Sequence, residues 1–401
     1  MTTSSFLPVA GVRLGTTCSG SKYQNRDDLL VIALAAGSSV AGVFTQNAFC
    51  AAPVELARAH LKSHPIRYWL INAGNANAGT GEQGMQDAIS CCLTMAEVAG
   101  CDTEAVLPFS TGVVGELMPV EALQAAIAPA FENIDETNWL AAAAAIMTTD
   151  TVPKLVSVQF EVNGAQGSIT GIAKGSGMIR PNMATMLSYV ATDISVPQDI
   201  LQSCLETAMV NSFNSITIDG DTSTNDACML AATGQQSAIQ VTETDSEAGQ
   251  AFQQALNDVC EQLAQGIVRD GEGATKLITI KVEEGKTIEE CRAVAFSIAH
   301  SPLVKTAFFA SDANWGRILV AVGYADIDSL DVSKIRIYLD DVCIVENGRR
   351  APDYTEEQGT AVMQQSEITV RVVLARGVQQ ARVWTCDLSH DYVRINAEYR
   401  T

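Results

Sequence analysis

The sequence predicts an α+β fold in which mixed and antiparallel sheets are sandwiched by helices, with a C-terminal α/β subdomain. Three observations carry this. Segments that alternate apolar and polar residues recur in both halves of the chain, as half-buried strands require. Longer amphipathic stretches stand between them. The closing strands are joined by short links, which favours antiparallel pairing. Hydrophobic residues make up 47% of the 401, ample for a folded core.

In order along the chain, DLLVIALAAG (28–37), VAGVFT (40–45) and RYWLINAG (67–74) read as strands. A helix over 83–100 is closed by Gly100. The short apolar run AVLPF (105–109) precedes two helices, at 119–132 and 136–147. KLVSVQFEV (154–162) and ITGIAKG (169–175) flank the hairpin turn NGAQGS. Pro197, with Ser195 near it as a cap, starts a helix over 198–211. SITIDGDTSTNDACMLAA (215–232) reads strand, polar loop, strand, and a helix follows over 246–267. KLITIKVEEG (276–285) is a strand and 287–301 a helix. KIRIYLDDV (334–342), EITVRVVLA (367–375), ARVWTCDLS (381–389) and YVRINAEY (392–399) are four closing strand candidates. No low-complexity linker divides the chain. The expected domains are a body over 1–280 and a subdomain over 281–401.

Lys plus Arg is 25 and Asp plus Glu is 46, so the net charge is 25 − 46 = −21. That balance argues against a nucleic-acid partner, which needs a basic face. No apolar run reaches the roughly 18 residues of a membrane span. The first residues, MTTSSFLPVAGVRLG, lack a secretory pattern. Eleven cysteines, an odd number without any C-x-x-C, read as free thiols in a reducing cytoplasm. His60, His64, His300 and His390 show no zinc spacing, so neither a metal nor another cofactor is expected.

GTGEQG (79–84) matches a dinucleotide fingerprint, but three asparagines separate it from its strand, and it reads as a structural turn. GEGATK (271–276) is a weaker echo of a phosphate loop. Asp219, Asp221 and Asp226 read as a solvated or hydrogen-bonded loop in preference to a cation site. In FSTGVVGE (109–116), Thr111 and Gly112 at a strand end form an ordinary turn or offer a hydroxyl and backbone N–H groups to one point, as an oxyanion needs; the motif alone favours the turn. KGSGMIRPNMATM (174–186) reads as a tight hairpin entering a buried strand, or as a rigid turn that sets a small residue, Ala184, before Thr185 and so suits attack by the Thr hydroxyl on the preceding carbonyl.

This last segment resembles the processing motif of the ornithine acetyltransferase family, the glutamate N-acetyltransferases of arginine biosynthesis. STGVVGE, MTTDT (147–151), DGEGATK (270–276), SDANWGR (311–317) and NAEYRT (396–401) resemble the family's other motifs in the family's order, so the likeness spans the whole chain. The resemblance implies a layered fold of the N-terminal-nucleophile kind. It implies self-cleavage between Ala184 and Thr185 into chains of residues 1–184 and 185–401, assembled as α2β2. It implies acetyl transfer from N2-acetyl-L-ornithine to L-glutamate through an acetyl-Thr185 ester. Thr185 is then the nucleophile, with its freed α-amine as base, and Thr111 and Gly112 stabilise the oxyanion. Thr151, Lys174, Thr185, Glu272, Asn396 and Thr401 are the implied substrate-binding residues. Acetyl-CoA is a further substrate that some members take. Asp312, Asn314 and Arg317 are read as orienting the site or bridging strands. Two other readings stand beside this one. A hydrolase would resolve the same ester with water, and a non-catalytic amino-acid-binding protein would keep the chain intact.

Overall fold

The computed structural model describes residues 6–180 and 186–398. Their contacts divide into two compact units. The first holds 6–175, 186–214 and 221–267, and the second holds 176–180, 215–220 and 268–398.

The first unit runs β1 (Val12–Thr17), β2 (Leu29–Leu34), β3 (Ser39–Phe44), α1 (Ala52–Ser63), β4 (Tyr68–Asn75), α2 (Gly81–Ala99), β5 (Val106–Val113), α3 (Val120–Glu132) and α4 (Trp139–Ala145). It continues with β6 (Lys154–Val162), β7 (Ala165–Lys174), β8 (Leu187–Ser195), α5 (Gln198–Val210), β9 (Ala227–Gln240) and α6 (Glu247–Arg269), of which residues 247–267 belong to this unit. One sheet has the order β1-β2-β4-β5 and the other β3-β9-β8-β7-β6. Pairing is antiparallel except at β4–β5 and β8–β9, which are parallel.

Strand alternation decides how the two sheets meet. Ile32, Trp69, Ile71, Leu107 and Phe109 of the first sheet share one core with Ile172, Leu187, Tyr189 and Met229 of the second. The Tyr189 ring lies 5.5 Å from Trp69 and 5.3 Å from Phe109. Each such side chain contributes about 1.5–3 kcal/mol by burial. Residues of opposite parity face outward. Val31, Leu70 and Val106 pack under Leu56 of α1, Met95 of α2 and Ile127 of α3. On the other sheet, Gly171 leaves room for Val259 and Leu263 of α6, and Gln198 and Gln202 of α5 bond the backbone of β3 at Val40 and Gly42. The unit is therefore helix, sheet, sheet, helix, as the expected layering has it.

GTGEQG opens α2 in the β4–α2–β5 crossover, and its last glycine is a packing residue. A Cβ at Gly84 would meet Thr80 Oγ1 at 1.9 Å and Asn77 Oδ1 at 2.4 Å. Asn77 Nδ2 fills that place by donating to the Gly84 carbonyl at 2.8 Å.

The second unit runs β10 (Leu277–Gly285), α7 (Ile288–Ala299), α8 (Pro302–Phe309), α9 (Trp315–Gly323), β11 (Arg336–Leu339), β12 (Val342–Glu346), β13 (Arg349–Arg350), α10 (Glu356–Met363), β14 (Glu367–Val373), β15 (Gln379–Cys386) and α11 (His390–Ala397). Its sheet has the order β13-β12-β11-β14-β10-β15. Ile278, Ile280 and Val282 of β10 face Val294 and Ile298 of α7, Phe308 of α8 and Val322 of α9 in one core. The expected boundary at 280/281 falls within β10, which lies wholly in this unit.

Three sequence expectations are corrected here. Residues 392–397 of YVRINAEY are helix and not strand: α11 starts behind Ser389, whose Oγ accepts the Tyr392 N–H at 3.4 Å. A local cap thus overrides a short alternation. SITI makes only a single bridge, Ile216 to Trp384. SDANWGR joins helices and bridges no strands. Asn314 caps α9 by accepting the Arg317 N–H at 3.1 Å, and Arg317 donates to the Leu303 carbonyl at 2.7 Å. All eleven cysteines are free. Among the described residues, no helix is long and apolar enough to cross a membrane.

His300 stacks on Phe296 and meets Thr217 Oγ1 at 3.1 Å. Burial, with Arg180 and Lys305 adding to it, lowers its pKa to about 4. The unfolded ring binds a proton near pH 6.5, so between pH 6.5 and 4 the unfolded chain holds more protons, and stability falls as the pH is lowered. His300→Gln should lose part of the drop in thermal midpoint between pH 6.5 and 5. An identical drop in both proteins would show that another group is responsible.

Candidate active site

Where the facing strands of the first unit run out of apolar residues, polar ones take their parity. On β5 the series Leu107, Phe109 continues to Thr111, and on β7 Ile172 continues to Lys174. Both Thr111 and Lys174 are buried. Lys174 pairs in register with Leu187, the first residue of β8, and Leu187 pairs with Ala227 at the start of β9. One end of the inter-sheet layer thus gathers the expected oxyanion pair, the expected lysine and the chain that follows residue 185. Ala184, Thr185 and Thr401 themselves lie outside the described residues.

Gly112 permits the close approach of β5 to β4. A Cβ there would sit 2.2 Å from the Gly74 carbonyl carbon. The carbonyl of Ser110 accepts from Asn225 Nδ2 at 3.0 Å, and the same amide group donates to the Ala76 carbonyl at 2.7 Å. The next residue, Asp226, accepts the Met186 N–H at 3.0 Å. Burial pushes the Asp226 carboxyl well above the usual range, against the pull of that N–H, of Lys174 and of the Ser223 hydroxyl. Its Oδ2 has no hydrogen-bond partner among the described residues.

A second buried acid has the opposite balance. Asp150 Oδ1 accepts from Lys154 Nζ at 2.5 Å and from the Gly175 N–H at 2.8 Å. Its Oδ2 accepts the Thr148 N–H at 3.1 Å. Burial alone would raise its pKa. The ammonium groups of Lys154 and Lys174, with the Gly175 N–H, outweigh that and hold the carboxyl below the usual range. Lys154 also donates to the Gly175 carbonyl at 3.2 Å. Asp150 therefore fixes the turn after Lys174 and the loop carrying Thr151, whose side chain is exposed. Sequence reasoning gave no role to Asp150, Lys154 or Asn225. The only signal for the first was its place inside MTTDT.

In the second unit, Glu272 is buried and its Oε2 accepts from Asn396 Nδ2 at 2.7 Å. Its N–H donates to the Ser176 carbonyl at 2.8 Å. Gly177 leaves the space the carboxylate occupies, since a Cβ there would lie 2.5 Å from the carboxyl carbon. Helix α11 seats against Gly273, where a Cβ would meet Ser389 Oγ at 2.5 Å and Tyr392 N at 2.6 Å. The expected tail residue Asn396 is thus docked and brought onto Glu272. Asp219 of the polar loop accepts the N–H groups of Met178 and Ile179 at 2.6 and 2.9 Å. No group of three or more His, Cys, Asp or Glu among the described residues is arranged to hold a metal ion.

The model of the ArgJ family matches residues 13–401. The arginine biosynthesis bifunctional protein ArgJ of Pseudomonas syringae pv. tomato is 55% identical over 394 residues, covering 98% of this chain and 97% of that protein. The protein of the same name from Methylococcus capsulatus is 57% identical over 394 residues, with 98% and 96% covered. A crystal structure of the arginine biosynthesis bifunctional protein ArgJ from Bacillus halodurans is 40% identical with a TM-score of 0.50. The match covers 53% of this chain and 99% of that one.

Proposed function

Because the chain belongs to the ArgJ family, we propose that it moves an acetyl group from N2-acetyl-L-ornithine to L-glutamate in arginine biosynthesis. The route is an acetyl-Thr185 ester, formed after the chain cuts itself between Ala184 and Thr185. The observation that carries this reading is the end of the inter-sheet layer, where Thr111, Gly112, Lys174 and the strand leaving residue 185 meet.

In the processing step the Thr185 hydroxyl attacks the Ala184 carbonyl, and the peptide nitrogen leaves as the amine of Thr185. Water then splits the ester, releasing Ala184 as a carboxylate. The free amine has an ordinary pKa of about 7.7–8.0, well placed to take the hydroxyl proton near neutrality. In transfer, the hydroxyl attacks the acetyl carbonyl, Thr111 and Gly112 hold the oxyanion, and ornithine leaves with the proton carried by the amine. The amino group of glutamate then attacks the ester and restores the Thr185 hydroxyl, so kinetics are ping-pong.

Lys174 anchors a substrate carboxylate, a useful cation in a chain of charge −21. Glu272, oriented by Asn396, pairs with the side-chain ammonium of ornithine. Thr151 and Thr401 complete the substrate contacts. Acetyl-CoA is a second donor in this reading, and the two chains assemble as α2β2 in the cytoplasm.

Intact mass under denaturing conditions, followed by the acetylornithine–glutamate assay, tests the reading. Two chains with Thr185 at the second N-terminus, and acetyl recovered on glutamate, are expected. A single uncleaved chain, or acetyl lost mainly to water at saturating glutamate, would overturn it. Gly177→Ala should press on Glu272 and raise the KM for acetylornithine about tenfold, within the 1–3 kcal/mol that overpacking costs. The KM for glutamate should move less. An equal rise for both would remove Glu272 from ornithine recognition.

A further inference from the structure

We propose that the dipeptide Asn225–Asp226 is a positioning clamp for acyl transfer, holding the strand end with Thr111 and Gly112 in register with the chain that leaves position 185. The inference rests on the acetyl-transfer reading and gives a role to a polar loop which that reading leaves unused.

Adjacent residues on one loop reach two different elements. Asn225 holds the carbonyl of Ser110, directly before Thr111, and the carbonyl of Ala76 beyond β4. Its amide is itself oriented. Thr224 Oγ1 donates to Asn225 Oδ1 at 2.5 Å, and Asn225 N–H donates to Ser223 Oγ at 3.1 Å. Asp226 holds the N–H of Met186, directly after the proposed nucleophile, while the Ala227 N–H donates to the Met186 carbonyl at 3.2 Å. The Asp226 carbonyl accepts the Thr45 N–H at 2.9 Å, which pins the loop from behind.

The groups that the two side chains hold at Ser110, Ala76 and Met186 are all backbone atoms, so the clamp fixes chain position. Both Asn225 and Asp226 are buried. Burial raises the pKa of the Asp226 carboxyl and so favours its neutral form. The contact with Met186 needs only an acceptor at Oδ1, and a primary amide of the same shape offers one. Oxyanion donors must stand within hydrogen-bond reach of where the charge develops. A misplacement of about 1 Å costs about 10²-fold in rate.

The test uses the full-length chain and its Asp226→Ala, Asp226→Asn and Asn225→Asp variants. Processing is followed by intact mass, and kcat and KM are measured per folded, processed active site. Asp226→Ala and Asn225→Asp should each slow processing and lower kcat about 10²-fold, with KM for acetylornithine within about threefold of the parent. Asp226→Asn, which keeps the acceptor, should recover most of that loss. A purely structural role would lower the folded fraction and leave kcat per folded site in place, which would overturn the clamp. Asp226→Asn as impaired as Asp226→Ala would also overturn it, because charge would then matter and not the acceptor. If Asp226→Ala does not fold, Asn225→Asp, which removes both donors at constant shape, decides by the same readout. A parent chain that is neither cleaved nor acetylated would defeat the acetyl-transfer reading itself. A parent that is both, with unaffected variants, would defeat the clamp alone.

Discussion

Thr185→Ala should purify as one chain of 401 residues with no transfer of acetyl from acetylornithine to glutamate. The substitution removes the hydroxyl together with the γ-methyl, and two steps depend on the hydroxyl oxygen. Without the hydroxyl nothing attacks the Ala184 carbonyl, so the chain is not cut. Without the cut, the nitrogen of residue 185 stays an amide and cannot take a proton. Even if a protease made the cut, the acetyl group would have no acceptor atom on the enzyme. Loss of a covalent nucleophile costs about 10⁴–10⁶-fold in turnover, so the variant should sit at background. Thr185→Ser keeps hydroxyl and amine and should process and turn over at a reduced rate. Mass spectrometry reads the first step and the exchange assay the second. Activity in Thr185→Ala above contamination would remove Thr185 from the chemistry.

Much of the framework is readable from residue order because it is local. Alternation over KLVSVQFEV, KLITIKVEEG and EITVRVVLA gives β6, β10 and β14, and a change of parity partners marks the site. Phe109 to Thr111 and Ile172 to Lys174 are steps of two along single strands, so each is written in a few neighbouring letters. YVRINAEY shows where the same signal fails. Eight residues fit a two-residue period and a helical turn about equally, and the decision falls to Ser389, one residue before the helix. The pairing of Lys154 with Asp150 is short-range and still goes unread. Nothing in the sequence shows that a lysine inside an alternating strand points inward until the sheet's buried side is known. Asn225 is further out of reach, because its partners at Ala76 and Ser110 are over a hundred residues away. Their carbonyls carry no side-chain signature at all.

Gly112→Ala should abolish processing, although the change adds only a methyl group. At φ +135° the residue sits in backbone space that L-residues avoid. The new Cβ would meet the Gly74 carbonyl carbon at 2.2 Å, its oxygen at 2.5 Å and the Asn75 nitrogen at 2.6 Å. All three are main-chain atoms of β4, so no rotamer change relieves the contact. The strands must part where Thr111 presents its hydroxyl. Side-chain overpacking costs about 1–3 kcal/mol where neighbours yield, and here they cannot. Gly100→Ala is the matched control. That residue also has a positive φ, +66° at the end of α2, but nothing lies within 4 Å of its Cβ position. It should cost only the left-handed backbone, about 1–2 kcal/mol, and the chain should still be cut. Thermal melts and intact mass on the two variants separate backbone strain from close approach. If both are processed alike, the approach of β5 to β4 does not govern the oxyanion end of the site. If only Gly112→Ala stays uncut while remaining folded, the spacing of these two strands sets the chemistry.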